Sequence, residues 1–170
     1  MQGDLFANFT PDEPGEAKKS NLETLESLTY CYQLIDTEEK RREIIQKLLT
    51  SKILSLDTET TGTEPMDAEL VGMSFSIAEN EAFYVPVPSD QDEALKIVNE
   101  FRPVFENENS LKVGQNIKYD MIVLQNYGAT VKGPLFDTMI AHYVLQPELR
   151  HGMDYLAEIY LHYQTIHIDE

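Results

Sequence analysis

The chain has 170 residues, 42% of them hydrophobic and 25% charged, with only 8 Gly and 8 Pro, a composition that buries a real core and excludes broad disorder and collagen-like repeats. Lys and Arg total 13 against 30 Asp and Glu, a formal charge of −17, which excludes the basic footprint of an autonomous nucleic-acid binder. The single cysteine, Cys31, excludes an internal disulfide and a Cys-rich zinc site, no run approaches the ~18 apolar residues of a membrane span, and Met1 to Phe9 lacks the order of a signal peptide, so a reducing cytoplasm without membrane partners is expected.

Residues 1–27 carry Pro11, Pro14, Gly15, Lys18, Lys19 and Ser20 with a small apolar cluster at Leu5, Phe6 and Phe9, and read as a linker or arm. Tyr30 to Ile35 reads as a strand, and Asp36 to Glu39 starts a helix whose Ile44, Ile45, Leu48 and Leu49 recur at helical spacing. Ile53 to Leu56 is a compact apolar strand that ends in Asp57-Thr58-Glu59-Thr60-Thr61-Gly62. Leu70 to Ile77 and Ala82 to Val87, separated by Ala78 to Glu81, form a hairpin. Asp92 to Phe105 is a helix, Leu111 to Gly114 a short strand and Lys118 to Tyr127 a helix stopping at Gly128, followed by helices over Asp137 to Leu145 and Met153 to Tyr163. This order predicts an α/β domain, a mixed sheet covered by helices.

Asp57 and Glu59 lie two apart, so along an extended chain both carboxylates project from one face and can reach one ion. Two acids on an apolar strand repel each other unless a cation or water relieves them, and oxygen-rich sites of this kind suit Mg²⁺ or Mn²⁺. A second group surrounds Asp120: Gln115, Asn116, Lys118 and Tyr119 supply donors and a cation suited to a phosphodiester. The plainer readings are that Asp57 and Thr58 cap a turn, that Asn116 is an N-cap, and that Asp120 complements a helix dipole.

Three segments, Asp57-Thr58-Glu59-Thr60-Thr61-Gly62, then Gly114-Gln115-Asn116-Ile117-Lys118-Tyr119-Asp120, then Phe136-Asp137-Thr138-Met139, agree in order and spacing with one family. Over residues 30–170 the sequence resembles the 3′–5′ exonuclease (proofreading) domain of bacterial family A DNA polymerase I. The resemblance implies a ribonuclease H-like mixed sheet flanked by helices over 28–170, a bacterial cytoplasmic setting, and partners that are a single-stranded 3′ end of DNA and a polymerase domain of the same parent chain. It also implies two divalent ions, with Asp57, Glu59 and Asp120 as catalytic and metal-holding residues: Asp57 bridging, Glu59 beside the ion of the attacking water, and Asp120 supporting the second ion directly or through water. Thr60, Gln115, Asn116, Lys118, Tyr119, Arg150 and Met153 fall at positions that contact nucleic acid.

The family's third motif, Tyr-x-x-x-Asp on a late helix, has no match. The residues four after Tyr143, Tyr155, Tyr160 and Tyr163 are Pro147, Ile159, Gln164 and His167, while Tyr32 and Asp36 have the spacing but sit on the opening strand. The sequence therefore reads as a domain cut before that motif, with impaired activity expected. Thr63 stands where an apolar wedge is usual. Asp137 is read as an N-cap, His142, His162 and His167 as packing or surface residues, and Phe101 and Phe105 as core. Without the resemblance, Arg150 reads as a surface charge and Met153 as core. Two other readings are a non-catalytic, DNA-guiding domain and a ribonuclease D-like exoribonuclease.

Overall fold

A computed structural model describes residues 22–166; the Leu5, Phe6 and Phe9 cluster and His167 lie outside the described residues. A 3₁₀ turn, Leu25–Ser27, precedes β1 (Cys31–Leu34), α1 (Glu38–Thr50), β2 (Ile53–Thr60), β3 (Leu70–Ala78), β4 (Glu81–Pro86), α2 (Gln91–Phe105), β5 (Leu111–Gly114), α3 (Ile117–Asn126), β6 (Leu135–Asp137), α4 (Thr138–Leu145) and α5 (Met153–Leu161). The six strands form one sheet in the order β1-β4-β3-β2-β5-β6. The β2–β3 and β3–β4 pairs are antiparallel, and β1–β4, β2–β5 and β5–β6 are parallel, which is the mixed sheet the element order predicts.

Sequence reading placed every helix but not β6, whose three residues follow Gly133-Pro134 and merge into the next helix signal. It also ended β2 too early. The strand runs on to Thr60, so Asp57 and Glu59 stand inside the ladder, opposite Ser74 and Gly72 of β3. Polar residues there mark a strand whose second face is not core. Residues 22–27, read as the end of the arm, are tied to the far end of the fold: the Glu23 N–H donates to the His162 carbonyl and the Gln164 N–H to the Glu23 carbonyl, both at 2.8 Å.

The core occupies one face of the sheet. Leu54, Leu56, Met73, Phe75, Phe83 and Val85 meet Ile44, Ile45 and Leu48 of α1, Val98, Phe101 and Phe105 of α2, and Val123 and Leu124 of α3. Phe75 stacks on Phe101 with ring centroids 5.3 Å apart. Lys112 is fully buried on that face, where its ammonium donates to the carbonyls of Lys132 and Asn107 and burial pulls its pKa down. Because strand side chains alternate, burying Leu54, Leu56 and Thr58 turns Ser55, Asp57 and Glu59 to the opposite face. There α4 and α5 enclose a cavity of about 780 Å³ with the sheet, walled by Ser55, Asp57, Ser74, His142, Met153 and Tyr160 among others. α4 and α5 also leave Val144, Leu145 and Leu161 exposed.

Candidate active site

The pleat of β2 delivers the two acids, and β3 gives them room. Met73 and Phe75 point into the core, so the alternate residues of β3 face the carboxylates, and these are Gly72, Ser74 and Ser76. A Cβ on Gly72 would come within 2.2 Å of the Tyr84 hydroxyl, so the absent side chain lets Tyr84 of β4 lie across β3 toward Glu59. Burial and then the Glu59 charge push the Tyr84 hydroxyl up. A register shift between Glu59 and Thr60 ends the regular ladder, a bulge of the sort that re-aims side chains next to active sites.

Asp120 reaches β2 from the other side. Pairing of β2 with β5 stops at Ser55 opposite Val113, which leaves the backbone N–H of Thr58 without a partner in that ladder. Asp120 in the first turn of α3 supplies one: its Oδ1 accepts from the Thr58 N–H at 2.9 Å and from the Thr58 hydroxyl at 2.6 Å. The carboxylate is 2% exposed. Burial pushes its pKa up, and the Thr58 hydrogen bonds oppose the rise. Thr58, whose plainer reading is a turn cap, instead lies within β2 and fixes the third acid.

Burial, then the charges of Asp120 and Glu59, push the Asp57 carboxyl from its ordinary 3.8 up to about 7. The ion pairs among the described residues involve neither Asp57, Glu59 nor Asp120. Oxygen-only donors with unrelieved like-charge crowding fit a hard divalent cation. Among the described residues, no three carboxylate, imidazole or thiolate groups converge as a ready-made cage.

The residues expected to contact nucleic acid divide between two sides of the acids. Thr60, Asn116 and Tyr119 join Glu59, Thr63 and Gly62 around a cavity of about 740 Å³. Its floor is a triangle in which the Thr60 and Tyr119 hydroxyls lie 2.6 Å apart and each is within hydrogen-bond distance of the Gly62 carbonyl, two protons serving three contacts. Asn116 is not a side-chain cap: it sits at φ 60°, ψ 43° and makes no capping hydrogen bond, a left-handed conformation that Asn tolerates. Its amide side chain is left to the pocket. Asp137 does cap α4, accepting from Met139 and Ile140, and also takes the N–H groups of Asn116 and Ile117.

Gln115 and Met153 line the other cavity with Asp57. Met153 is 52% exposed, so the alternative reading of it as core does not hold. Lys118 is exposed and lines a separate groove between α3 and α4, with Met121, Leu135 and Ile140. It is not brought to the acids. Arg150 lies outside both cavities, its guanidinium 5.0 Å above the Tyr155 ring. His142, read as a packing or surface residue, is buried, and its contact with His151 has no counterpart in the linear pattern.

A family model described as 3′–5′ exonuclease matches residues 32–170. The chain belongs to the 3′–5′ exonuclease family. It is 32% identical over 161 residues to DNA polymerase I of Borreliella burgdorferi, covering 93% of this chain and 18% of that protein. To DNA polymerase I of Pseudomonas aeruginosa it is 34% identical over 181 residues, covering 97% and 20%. The chain thus spans about a fifth of the length of these relatives. Among solved structures, Brucella melitensis NrnC superposes with a TM-score of 0.66 at 19% identity, covering 84% of this chain and 66% of that one. RNase D of Trypanosoma brucei gives 0.66 at 20%, covering 84% and 51%. These likenesses show the fold, which is ribonuclease H-like.

Proposed function

We propose that this 3′–5′ exonuclease domain hydrolyses the terminal phosphodiester at the 3′ end of single-stranded DNA, using Mg²⁺ or Mn²⁺, as the editing unit of a cytoplasmic DNA polymerase I polypeptide. The observation that carries the reading is the burial of Asp57 beside two other acids, which holds its carboxyl up to about 7, with no cation paired to it among the described residues. Bound divalent ions supply Lewis-acid stabilisation of the developing charge at phosphorus and lower the pKa of water. Asp57 and Glu59 are the residues that would hold them, with Asp120, restrained by Thr58, supporting a second ion.

The remaining residues orient the strand. Thr60, Asn116 and Tyr119 border the Glu59 side and take the terminal nucleotide. Gln115 and Met153 border the Asp57 side, and Arg150 and Lys118, further out, meet the backbone of nucleotides upstream. A domain carrying −17 contributes little general DNA affinity, so the rest of the polymerase polypeptide brings the strand. The relatives above 30% identity are DNA polymerases, which favours DNA over RNA.

The test is degradation of 5′-labelled single-stranded DNA and RNA of equal sequence, in Mn²⁺ and in EDTA. Slow, metal-dependent shortening of the DNA from its 3′ end, lost in Asp57→Asn, is expected. Shortening that persists in EDTA or in Asp57→Asn refutes the catalytic reading, and a preference for RNA refutes the substrate.

A further inference from the structure

The segment between α4 and α5 is fastened by two imidazoles. Nδ1 of His142 and Nδ1 of His151 are 2.6 Å apart, with ring centroids at 4.8 Å and an interplanar angle of 64°. Two ring nitrogens at that separation share one proton: with none the lone pairs repel, and with two the N–H groups collide. The burial of His142 decides where that proton resides. His142 is 4% exposed and its Nε2 is buried with no hydrogen-bond partner among the described residues. A proton on Nε2 would leave an orphaned buried N–H, which proteins avoid more strictly than an unused acceptor. His142 is therefore protonated on Nδ1 and donates to Nδ1 of His151, whose own proton sits on Nε2.

This couple closes a ring of contacts through the substrate side of the site. The His151 carbonyl accepts from Gln115 Nε2 at 2.7 Å. The Gln115 Oε1 accepts from the hydroxyl of Thr138, the first residue of the helix that carries His142. Arg150 precedes His151, and Met153 begins α5 two residues later. The end of β5, the start of α4 and the Leu149 to Met153 segment are thus one linked unit, and the bond between the two imidazoles is its only side-chain link through a titratable pair among those named here.

We propose that His142 and His151 form a one-proton couple that positions Gln115, Met153 and Arg150 along the bound strand, and that a second proton releases this segment. The proposal rests on the exonuclease reading and adds the residues that hold its substrate-binding segment. Its release follows from the geometry. Protonating Nδ1 of His151 sets N–H against N–H unless His142 moves its proton to Nε2, where the N–H is buried with no acceptor among the described residues. Protonating His142 creates the same orphan together with a buried charge. The groups facing the couple give little relief: Tyr143 of α4 packs on His151, Tyr155 and Tyr160 of α5 pack edge-on to His142, and Arg150 adds a cation on the Tyr155 ring. From the sheet, Asp57 is the carboxylate on the wall of the cavity that His142 lines.

The experiment is ¹⁵N and ¹H NMR of the whole chain, labelled at histidine and at backbone amides, titrated from about pH 8 to about pH 5 across the ordinary histidine range. The expected result is an Nδ1–H tautomer for His142 and an Nε2–H tautomer for His151, with the two rings taking up their second proton together. Amide exchange over Leu149 to Met153, corrected for intrinsic rates, should rise about tenfold at the acid end, as local opening requires. His142→Phe should raise that exchange already at the alkaline end and remove its pH dependence. Two Nε2–H tautomers with independent titrations overturn the proposal, as does exchange in His142→Phe equal to wild type throughout. If that variant does not fold, the tautomers and titration of the wild-type rings decide alone. Failure of the exonuclease reading shows separately, as an intact couple in a chain whose DNA degradation does not depend on Asp57.

Discussion

Replacing Asp57 by Asn should stabilise the metal-free domain, and the gain should grow with pH. The carboxyl titrates at about 7 in the fold against an ordinary 3.8. A raised acid binds its proton more tightly folded than unfolded, so above 3.8 the unfolded chain gains by ionising while the folded one does not. Stability is therefore lost progressively between about pH 4 and pH 7, and the loss is complete above. At 1.36 kcal/mol per unit the gap of about three units sets a ceiling of about 4 kcal/mol. Asp57 keeps partial contact with water, which screens part of this and brings the expected effect to about 2 kcal/mol. For a domain of this size that is a rise of about 4–8 °C in Tm at pH 8, and much less near pH 4. Urea or thermal denaturation of both proteins in EDTA at the two pH values gives the answer. A variant less stable than wild type at pH 8, or a gain equal at both pH values, refutes the electrostatic reasoning.

Thr58→Val should cost about 1.5–3 kcal/mol, the value of hydrogen bonds to a charged group, because it strips the 2.6 Å hydroxyl contact from the buried Asp120; Thr58→Ser should retain most of it in the same denaturation assay. Gly72→Ala should destabilise by about 1–3 kcal/mol through overpacking against the Tyr84 ring, and Tyr84→Ala in the same chain should recover part of the loss, which a double-mutant cycle measures. Asn116→Ala should cost about 1 kcal/mol for the left-handed backbone, whereas Asn116→Gly should fold as well as wild type and weaken binding of a short 3′-terminal single strand in Mn²⁺, read by fluorescence anisotropy.

The fold was largely legible because its signals are local: helical spacing in α1 and α2, alternation in β3 and β4, and turn residues between them. β6 escaped because three residues carry too little periodicity to separate from the cap at Asp137. The carboxylates were legible as a pair through the period-two rule, and Gly72, Ser74 and Ser76 could have shown the matching face, since small residues alternate with Met73 and Phe75 along β3. Spatial coincidence was not legible. That Asp120 would be held by Thr58 follows from where the β2–β5 ladder stops, and that His142 meets His151 follows from how α4 turns back, neither of which a linear pattern encodes. Lys118 shows the converse: its neighbours in sequence, Asn116 and Tyr119, face the Glu59 pocket, while helical geometry turns Lys118 to another groove.

Direct binding of Mn²⁺, followed by its electron paramagnetic resonance signal in wild type and Asp57→Asn at pH 6 and pH 8, tests the claim that the Asp57 and Glu59 face is a divalent-cation site. A carboxyl titrating at about 7 must lose its proton before it ligates, so wild-type affinity should rise about tenfold between the two pH values. Asp57→Asn should bind more weakly and lose that dependence. Equal affinity in the two proteins, or wild-type binding indifferent to pH, would contradict the account.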